Sequence, residues 1–392
     1  MKLVVNICRV FVGLLFIFSG LIKANDPLGL AYKMEEFFEI WNTGLGQSSF
    51  FLKNFLIHIF SFFHEHSLFL AVVMIAFEII AGVALLVGWR MKLFSWLLLL
   101  LIIFFTFLTG YAYLSGKFKN CGCFGDCIPI TPLTSFGKDI LLTILIVFLF
   151  VKRKWITPLF SSSKNTWVML VVTVLSFVIQ WYMLNYLPMF DCLAYKKEKN
   201  IPRQMEMPEN AIQDSTVISF VYAKNGKNYD FTADKFPADF DSSYKFVSRY
   251  DKIIRKGSNN EPPIKGFVLT GVSGEDSTTI VLSQPYAILI YLGNFDIPVS
   301  KWKDEMSKLY QTAKQKNIPV YIITSQREET ITNLKNTALA DIQIFTSDNT
   351  AIRTAARTSP CIYLLEKGTI DDKQSYHGTD KVINKITKLP VQ

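Results

Sequence analysis

Five uninterrupted apolar stretches in the first half of the chain constrain its fold more than any other feature. They run Val4–Ala24, Ser67–Trp89, Leu93–Leu114, Leu133–Val151 and Thr166–Leu187. Each is close to the ~20 residues an α-helix needs to cross bilayer hydrocarbon, so five crossings are expected. Composition points the same way, with 50% hydrophobic and only 19% charged residues, unlike a soluble domain of this length. The apolar runs stop near Met189, and the rest of the chain has the mixed, charged texture of a globular domain.

The first run has the length of a full crossing and no small-x-small site near Ala24, so it reads as a retained helix rather than a cleaved leader. The net charge of +9 does not indicate nucleic acid, because the tightest basic groups, Arg90 with Lys92 and Lys152-Arg153-Lys154, flank apolar runs. Read as topology signals, with Lys2 and Arg9, they place the N-terminus in the cytoplasm. An odd number of crossings then puts the C-terminal domain outside.

Between the first two runs, Tyr32, Met34, Phe37, Phe38, Ile40 and Trp41 recur at helical spacing beside Lys33, Glu35 and Glu36, which predicts an interfacial amphipathic helix. The aromatic stretch Phe50–Phe63 fits either the interface or the bundle surface. Lys196–Asn210 is polar and proline-containing, as a linker would be. Beyond it an α/β alternation is expected: strands at Ala287–Leu292, Val320–Thr324, Ile342–Phe345 and Ile362–Glu366, with helices at Lys301–Gln315 and Gln326–Thr337.

The strongest chemical signal is Cys121-Gly-Cys123-Phe-Gly-Asp-Cys127, three of the six cysteines in one loop assigned to the outer face. Outside the cytoplasm, thiols this close form disulfides or bind metal. Cys121 and Cys123 are too near in sequence to bridge without strain, whereas either closes readily on Cys127. Cys192 follows the fifth run and should emerge on the same face as a further partner. Structural disulfides, redox-active thiols and a zinc site all remain open; C-x-C-x3-C is not a common zinc spacing. His64 and His66 read as solvated surface, and Cys8 as an apolar packing residue.

Glu78 sits in the middle of an apolar run, where a carboxylate needs a partner or a proton. At 1.5 Å per residue it lies roughly 15 Å from the cytoplasmic edge and Arg9 roughly 8 Å, so an Arg9–Glu78 pair is expected. Lys23 is expected to snorkel to the headgroups. Such a pair would either fix helix register or serve a proton or quinone site. In the globular half, Ser359-Pro360 at the entry to the strand Cys361-Ile-Tyr-Leu-Leu is a place for a functional cis bond. The loop Gly293-Asn-Phe-Asp-Ile-Pro298 follows the first strand, where a thiol oxidoreductase would carry C-x-x-C, and it holds no cysteine.

Arg9-x3-Gly13-x2-Phe16-x2-Ser19-Gly20-x2-Lys23 with Asp26-Pro27, and Glu78-x3-Gly82 with Gly88, resemble the DoxX family. The Cys121-Gly-Cys-Phe-Gly loop, with Ser135 and Lys138-Asp139, resembles the related MauE group of redox-associated membrane proteins. That resemblance implies a four-helix bundle over residues 1–152 in a bacterial cytoplasmic membrane, tied in some members to quinone-linked oxidation or disulfide maturation of exported proteins. Residues 153–190 then add a fifth membrane helix, 191–216 a linker, and 217–392 a periplasmic α/β domain. From Pro263 onward that domain resembles an exported thioredoxin-like domain, with Pro360 at the cis-proline position beside Cys361 and without C-x-x-C. The whole architecture resembles DoxX/MauE-type proteins of Bacteroidetes.

Two functions are therefore expected as alternatives. In one, Cys121, Cys123, Cys127 and Cys192 exchange disulfides with exported clients or a thiol-redox partner and pass electrons toward a quinone near Glu78. In the other, structural disulfides support a non-enzymatic scaffold whose thioredoxin-like domain recognises a partner. Transport is set aside, since no gapped or broken helix is evident.

Overall fold

The computed structural model describes residues 1–118, 120–232, 235–255 and 257–391. Its first half is helical: α1 (Lys2–Asn25), α2 (Pro27–Gly46), α3 (Lys53–Glu65), α4 (Ser67–Val87), α5 (Met91–Ser115), α6 (Pro132–Val151) and α7 (Ser162–Tyr186). Five of these, α1, α4, α5, α6 and α7, are long and apolar enough to cross a membrane. Hydrocarbon offers no hydrogen-bond partner, so a helix, which pairs its own backbone groups, is the form such sequences adopt. The outward faces remain greasy, with Leu14, Phe18, Leu100, Ile144 and Val174 exposed, as lipid contact requires.

Small residues set the closest crossing. Gly13 and Gly20 of α1 lie against α4, and a Cβ at Gly82 would sit 2.8 Å from the Gly13 carbonyl oxygen. Such contacts let two helix backbones approach where no hydrophobic force separates protein from lipid. The helix α2 begins at a built cap: Asp26 accepts from the Gly29 amide at 3.0 Å and Pro27 occupies the first helical position. Its Phe37 and Phe38 are buried, and Trp41 packs against Phe60 of α3, so the expected amphipathic segment forms a helical hairpin beside the bundle.

The second half contains α8 (Ile201–Met205) and a three-stranded antiparallel sheet of β1 (Ser215–Lys224), β2 (Lys227–Thr232) and β3 (Lys245–Arg255), in the order β2-β1-β3. After α9 (Thr278–Leu282) come β4 (Tyr286–Leu292), α10 (Lys303–Gln315), β5 (Val320–Thr324), α11 (Arg327–Leu334), β6 (Gln343–Thr346), α12 (Asn349–Ala355), β7 (Cys361–Glu366), β8 (Thr369–Ser375) and α13 (Thr379–Thr387). These strands form one sheet, β6-β5-β4-β7-β8, in which β4, β5 and β6 are parallel and β7 and β8 antiparallel. The order, with a cis Ser359–Pro360 peptide entering β7 beside the end of β4, is that of a thioredoxin-like fold.

The sheet is buried on both faces, which explains the near-continuous apolar strands. Ala287, Leu289 and Tyr291 of β4 join one core with Tyr363 and Phe345, while Ile288, Ile290 and Leu292 join the other with Met306, Leu309 and Val382. The stretch expected as a free linker is partly built into the first core. Tyr195 and Ile201 are fully buried there, and the Glu198 and Ile201 amides donate to the carbonyls of Ile370 and Gly368 at 2.8 Å each. The polar run Lys196–Asn200 between them hides these two anchors in the sequence.

Candidate functional site

One end of the bundle gathers the C-terminal ends of α1, α5 and α7, the N-terminal ends of α4 and α6, and the thioredoxin-like domain. The basic groups Arg90, Lys92 and Lys152–Lys154 lie at the other end. Cys127, in the α5–α6 loop, is disulfide-bonded to Cys192, which follows α7, across a sequence separation of 65. The bond thus ties two segments at this end of the bundle together. Cys121 and Cys123 carry free thiols, partly buried. Gly122 and Gly125 adopt positive φ, which lets the loop turn sharply enough to bring its cysteines inward.

Cys121 and Cys123 open onto a cavity of about 60 Å³ inside the bundle, shared with Lys23, Glu78, Lys138 and Asp139. Lys23 Nζ pairs with Glu78 Oε2 at 2.7 Å, both side chains 5% exposed, and lies 4.8 Å from the centre of the Phe105 ring. Lys138 Nζ pairs with Asp139 Oδ1 at 2.8 Å, and the Thr109 hydroxyl donates to Asp139 Oδ2 at 3.0 Å. Burial pushes the Cys121 thiol up to about 11, with the neighbouring Cys123 adding to the effect, and burial also raises Cys123. Both are held protonated and are slow nucleophiles as they stand.

The expected Arg9–Glu78 pair is absent, and Lys23 does not snorkel. Arg9 instead donates Nε to the Leu85 carbonyl at 2.8 Å and Nη1 to the Thr157 carbonyl at 3.0 Å, with a further bond to Leu86. The cause is the antiparallel crossing of α1 and α4. Gly82 faces Gly13 and Ile17, and Ile79 faces Gly20, so Glu78 lies beside the end of α1 that carries Lys23, several turns from Arg9. Arg9 meets the end of α4, where carbonyls have no helical partner.

The disulfide separates two larger spaces. On one side is a polar cleft of about 780 Å³, reached by Cys192 and walled by Lys33, Glu36, Asp126 and Arg353. On the other is an apolar groove of about 750 Å³ between α1 and α7, lined by Phe18, Ile22, Val178, Tyr182, Met183 and the disulfide itself. Cys192 is exposed.

The thioredoxin-like domain docks over this end. Arg357 Nε pairs with Asp26 Oδ2 at 2.8 Å and its Nη2 with Asp126 Oδ2 at 2.9 Å, while Arg353 pairs with Glu35 and stacks 3.6 Å from the Tyr32 ring centre. Burial alone would lower Arg357, but Asp26 and Asp126 outweigh it, so its guanidinium stays firmly charged. Lys373 Nζ pairs with Asp191 Oδ2 at 2.7 Å. The position that lacks thiols, Asn294 with Ser359, faces a cleft of about 340 Å³ whose opposite wall is Tyr32, Glu35 and Ser67. Ser359 Oγ donates to the Asn294 carbonyl at 2.6 Å, and Pro360 leads into Cys361, which is wholly buried with its thiol raised to about 11 by burial.

Fold and site define a membrane protein that couples a helical bundle bearing thiols to a thioredoxin-like domain without a thiol pair of its own. Residues 1–152 match the family model for methylamine utilisation protein MauE, and residues 216–256, the three-stranded sheet, match a domain of unknown function, DUF8463. A curated relative, protein TlpB of Flavobacterium psychrophilum, is 33% identical over 88 residues, which are 22% of this chain and 23% of that protein. The chain therefore aligns with about a quarter of that relative. Among solved structures, a thiol:disulfide interchange protein from a Bacteroides species is 14% identical with a TM-score of 0.24, covering 30% of this chain and 85% of that one. Yeast Sco1 with copper bound is 16% identical with a TM-score of 0.25, covering 31% and 91%. At such scores the fold assignment rests on the strand order and the cis-proline.

Asp126, Asp191 and the arginines Arg353 and Arg357 carry no sequence signal that marks them as site residues. Asp126 is visible only as one residue of the cysteine loop. Among the described residues, no cluster of three or more His, Cys, Asp or Glu is placed to hold a metal ion.

Proposed function

We propose that this chain is a membrane thiol-redox protein acting at the outer face of the cytoplasmic membrane, with its N-terminus in the cytoplasm and its thioredoxin-like domain in the periplasm. The observation that carries the reading is the disulfide Cys127–Cys192, set between a polar cleft and a lipid-facing groove with two further thiols in the same loop. A purely structural bond has no need of either opening.

The chemistry follows from exposure. A client thiolate entering the cleft attacks the accessible Cys192 sulfur, the S–S bond breaks, and Cys127 leaves as a thiolate that takes up a proton. A second client thiol displaces Cys192, so the client gains a disulfide and the protein gains two electrons and two protons as two thiols. The next turnover needs a two-electron acceptor. The cavity at Lys23 and Glu78, at about 60 Å³, is well below the roughly 300–1,000 Å³ of small-molecule sites, so it does not fit a quinone ring. The groove at about 750 Å³ does fit, with Phe18, Ile22, Val178 and Tyr182 to hold the ring. A quinone bound there would supply the acceptance of two electrons that restores the disulfide. Cys121 and Cys123, facing inward, serve as a second thiol pair of the same loop.

Thiol trapping tests this reading: cells are quenched in acid and labelled with two alkylating agents before and after reduction. A redox role predicts that Cys127 and Cys192 appear in both oxidised and reduced forms as the client load changes. The scaffold reading is favoured by one observation, the thiol-free end of the domain fixed by Arg353 and Arg357, and predicts a bond that stays oxidised throughout.

A further inference from the structure

We infer that the thioredoxin-like domain reads the oxidation state of Cys127–Cys192, the disulfide being the latch that holds the domain docked. The inference rests on the proposed redox reading for its use and on independent geometry for its mechanism.

Each cysteine of the bond is preceded by an aspartate that anchors the domain. Asp126 pairs with Arg357 and Asp191 pairs with Lys373, at 2.9 Å and 2.7 Å. The two cations leave the domain from different places, Arg357 from the loop before β7 and Lys373 from β8, and both are almost wholly buried. Closing the disulfide brings the two cysteine Cα atoms to 4.9 Å and so fixes both aspartates together under the domain. Asn25 completes the latch: its side chain accepts from the Phe190 amide at 3.0 Å, donates to the Phe190 carbonyl at 2.8 Å, and lies 4.0 Å from the Cys127 sulfur. Its neighbour Asp26 supplies the other carboxylate on Arg357.

Opening the bond removes the covalent tie between the two segments. The Cys127 loop, which turns on Gly122 and Gly125, is then held by the bond from Ser19 to the Cys123 carbonyl at 3.1 Å, by Phe124 packed on Phe18 and Lys138, and by the Asp126–Arg357 pair itself. Asp126 is half-exposed, so water competes for it once the loop is released. The reduced protein therefore loses the Asp126 hold on Arg357, leaves Asp26 and Glu35 as the remaining anchors of Arg357 and Arg353, and loosens the domain over the two clefts it roofs. Oxidised, the clefts are narrowed and the domain is seated.

The test is hydrogen–deuterium exchange on the full chain in lipid nanodiscs, in four forms: oxidised, reduced with dithiothreitol, Cys127→Ser/Cys192→Ser, and Asp126→Asn. In reduction the S–S bond takes two electrons and two protons from dithiothreitol, which closes to its own disulfide; intact mass after alkylation verifies it. The expected result is several-fold faster exchange over 27–39 and 349–359 in the last three forms, with β4 unchanged because the domain stays folded. Unchanged exchange in both the reduced and the double-serine forms would overturn the latch. A loosened double-serine form, together with a bond never found reduced in cells, would uphold the latch and sink the redox reading instead.

Discussion

The Lys23–Glu78 pair offers the sharpest quantitative prediction. Both side chains are 5% exposed and the charged atoms are 2.7 Å apart, in a cavity that also holds Lys138, Asp139 and Thr109. Removing one partner leaves a buried uncompensated charge, a loss of about 3–5 kcal/mol, whereas replacing both with apolar groups of similar volume is close to neutral. Lys23→Met and Glu78→Met should each lower stability by about 4 kcal/mol, about a thousandfold in the folding equilibrium, and the double variant should recover most of it. The assay is denaturant unfolding of the solubilised protein, with client oxidation measured on the same samples. A double variant that is stable and still oxidises clients assigns the pair to helix register; one that is stable and inactive assigns it to proton handling. Single losses below about 1 kcal/mol, or a double loss equal to their sum, would refute the claim that the two charges neutralise each other in a buried site.

Other consequences are as direct. Gly82→Ala should cost about 1–3 kcal/mol, because its Cβ would meet the Gly13 carbonyl oxygen at 2.8 Å and the Ile17 amide nitrogen at 3.1 Å, while Gly137→Ala, with nothing near, should not destabilise. Cys121, raised from 9.0 to about 11, should alkylate slowly at neutral pH and reach half its maximal rate near the higher value. The sign for stability is that of a neutral form favoured on folding: the contribution is complete below 9.0 and is lost as pH rises through about 11. Cys361→Ala should cost about 1 kcal/mol through lost packing and leave client oxidation unchanged, since Cys361 is sealed in the core. Peptide mapping and unfolding curves check each of these.

Much of the fold is legible in the sequence because its rules are local. An apolar run of membrane length has one answer, and the five helices differ from the expected spans only near their ends, as with α7 at Ser162–Tyr186. Asp26-Pro27 stands out in sequence as a motif, and its physical meaning as the cap of α2 emerges only with the structure. The three-stranded sheet is not among the expected elements, although Asn225-Gly226, both at positive φ between alternating strands, is a strong hairpin signal. What sequence withholds depends on how elements cross. Depth along a helix makes Arg9 look close enough to Glu78, but the register that sets Glu78 beside Lys23 comes from Gly82 packing on Gly13 and Gly20 packing on Ile79. The pairing of Cys127 with Cys192, and the meeting of Arg357 with Asp26 and Asp126, join residues far apart in sequence, and no local spacing announces them.

Turnover of the Cys127–Cys192 bond is measured most directly by its redox state in cells, read by acid quench and differential alkylation while the load of unfolded exported thiols is raised. A redox role predicts that the reduced fraction rises with load and returns on its removal, and that Cys127→Ser, which cannot form the bond, loses client oxidation. A bond that stays fully oxidised at every load, with client oxidation unchanged in the variant, would contradict it.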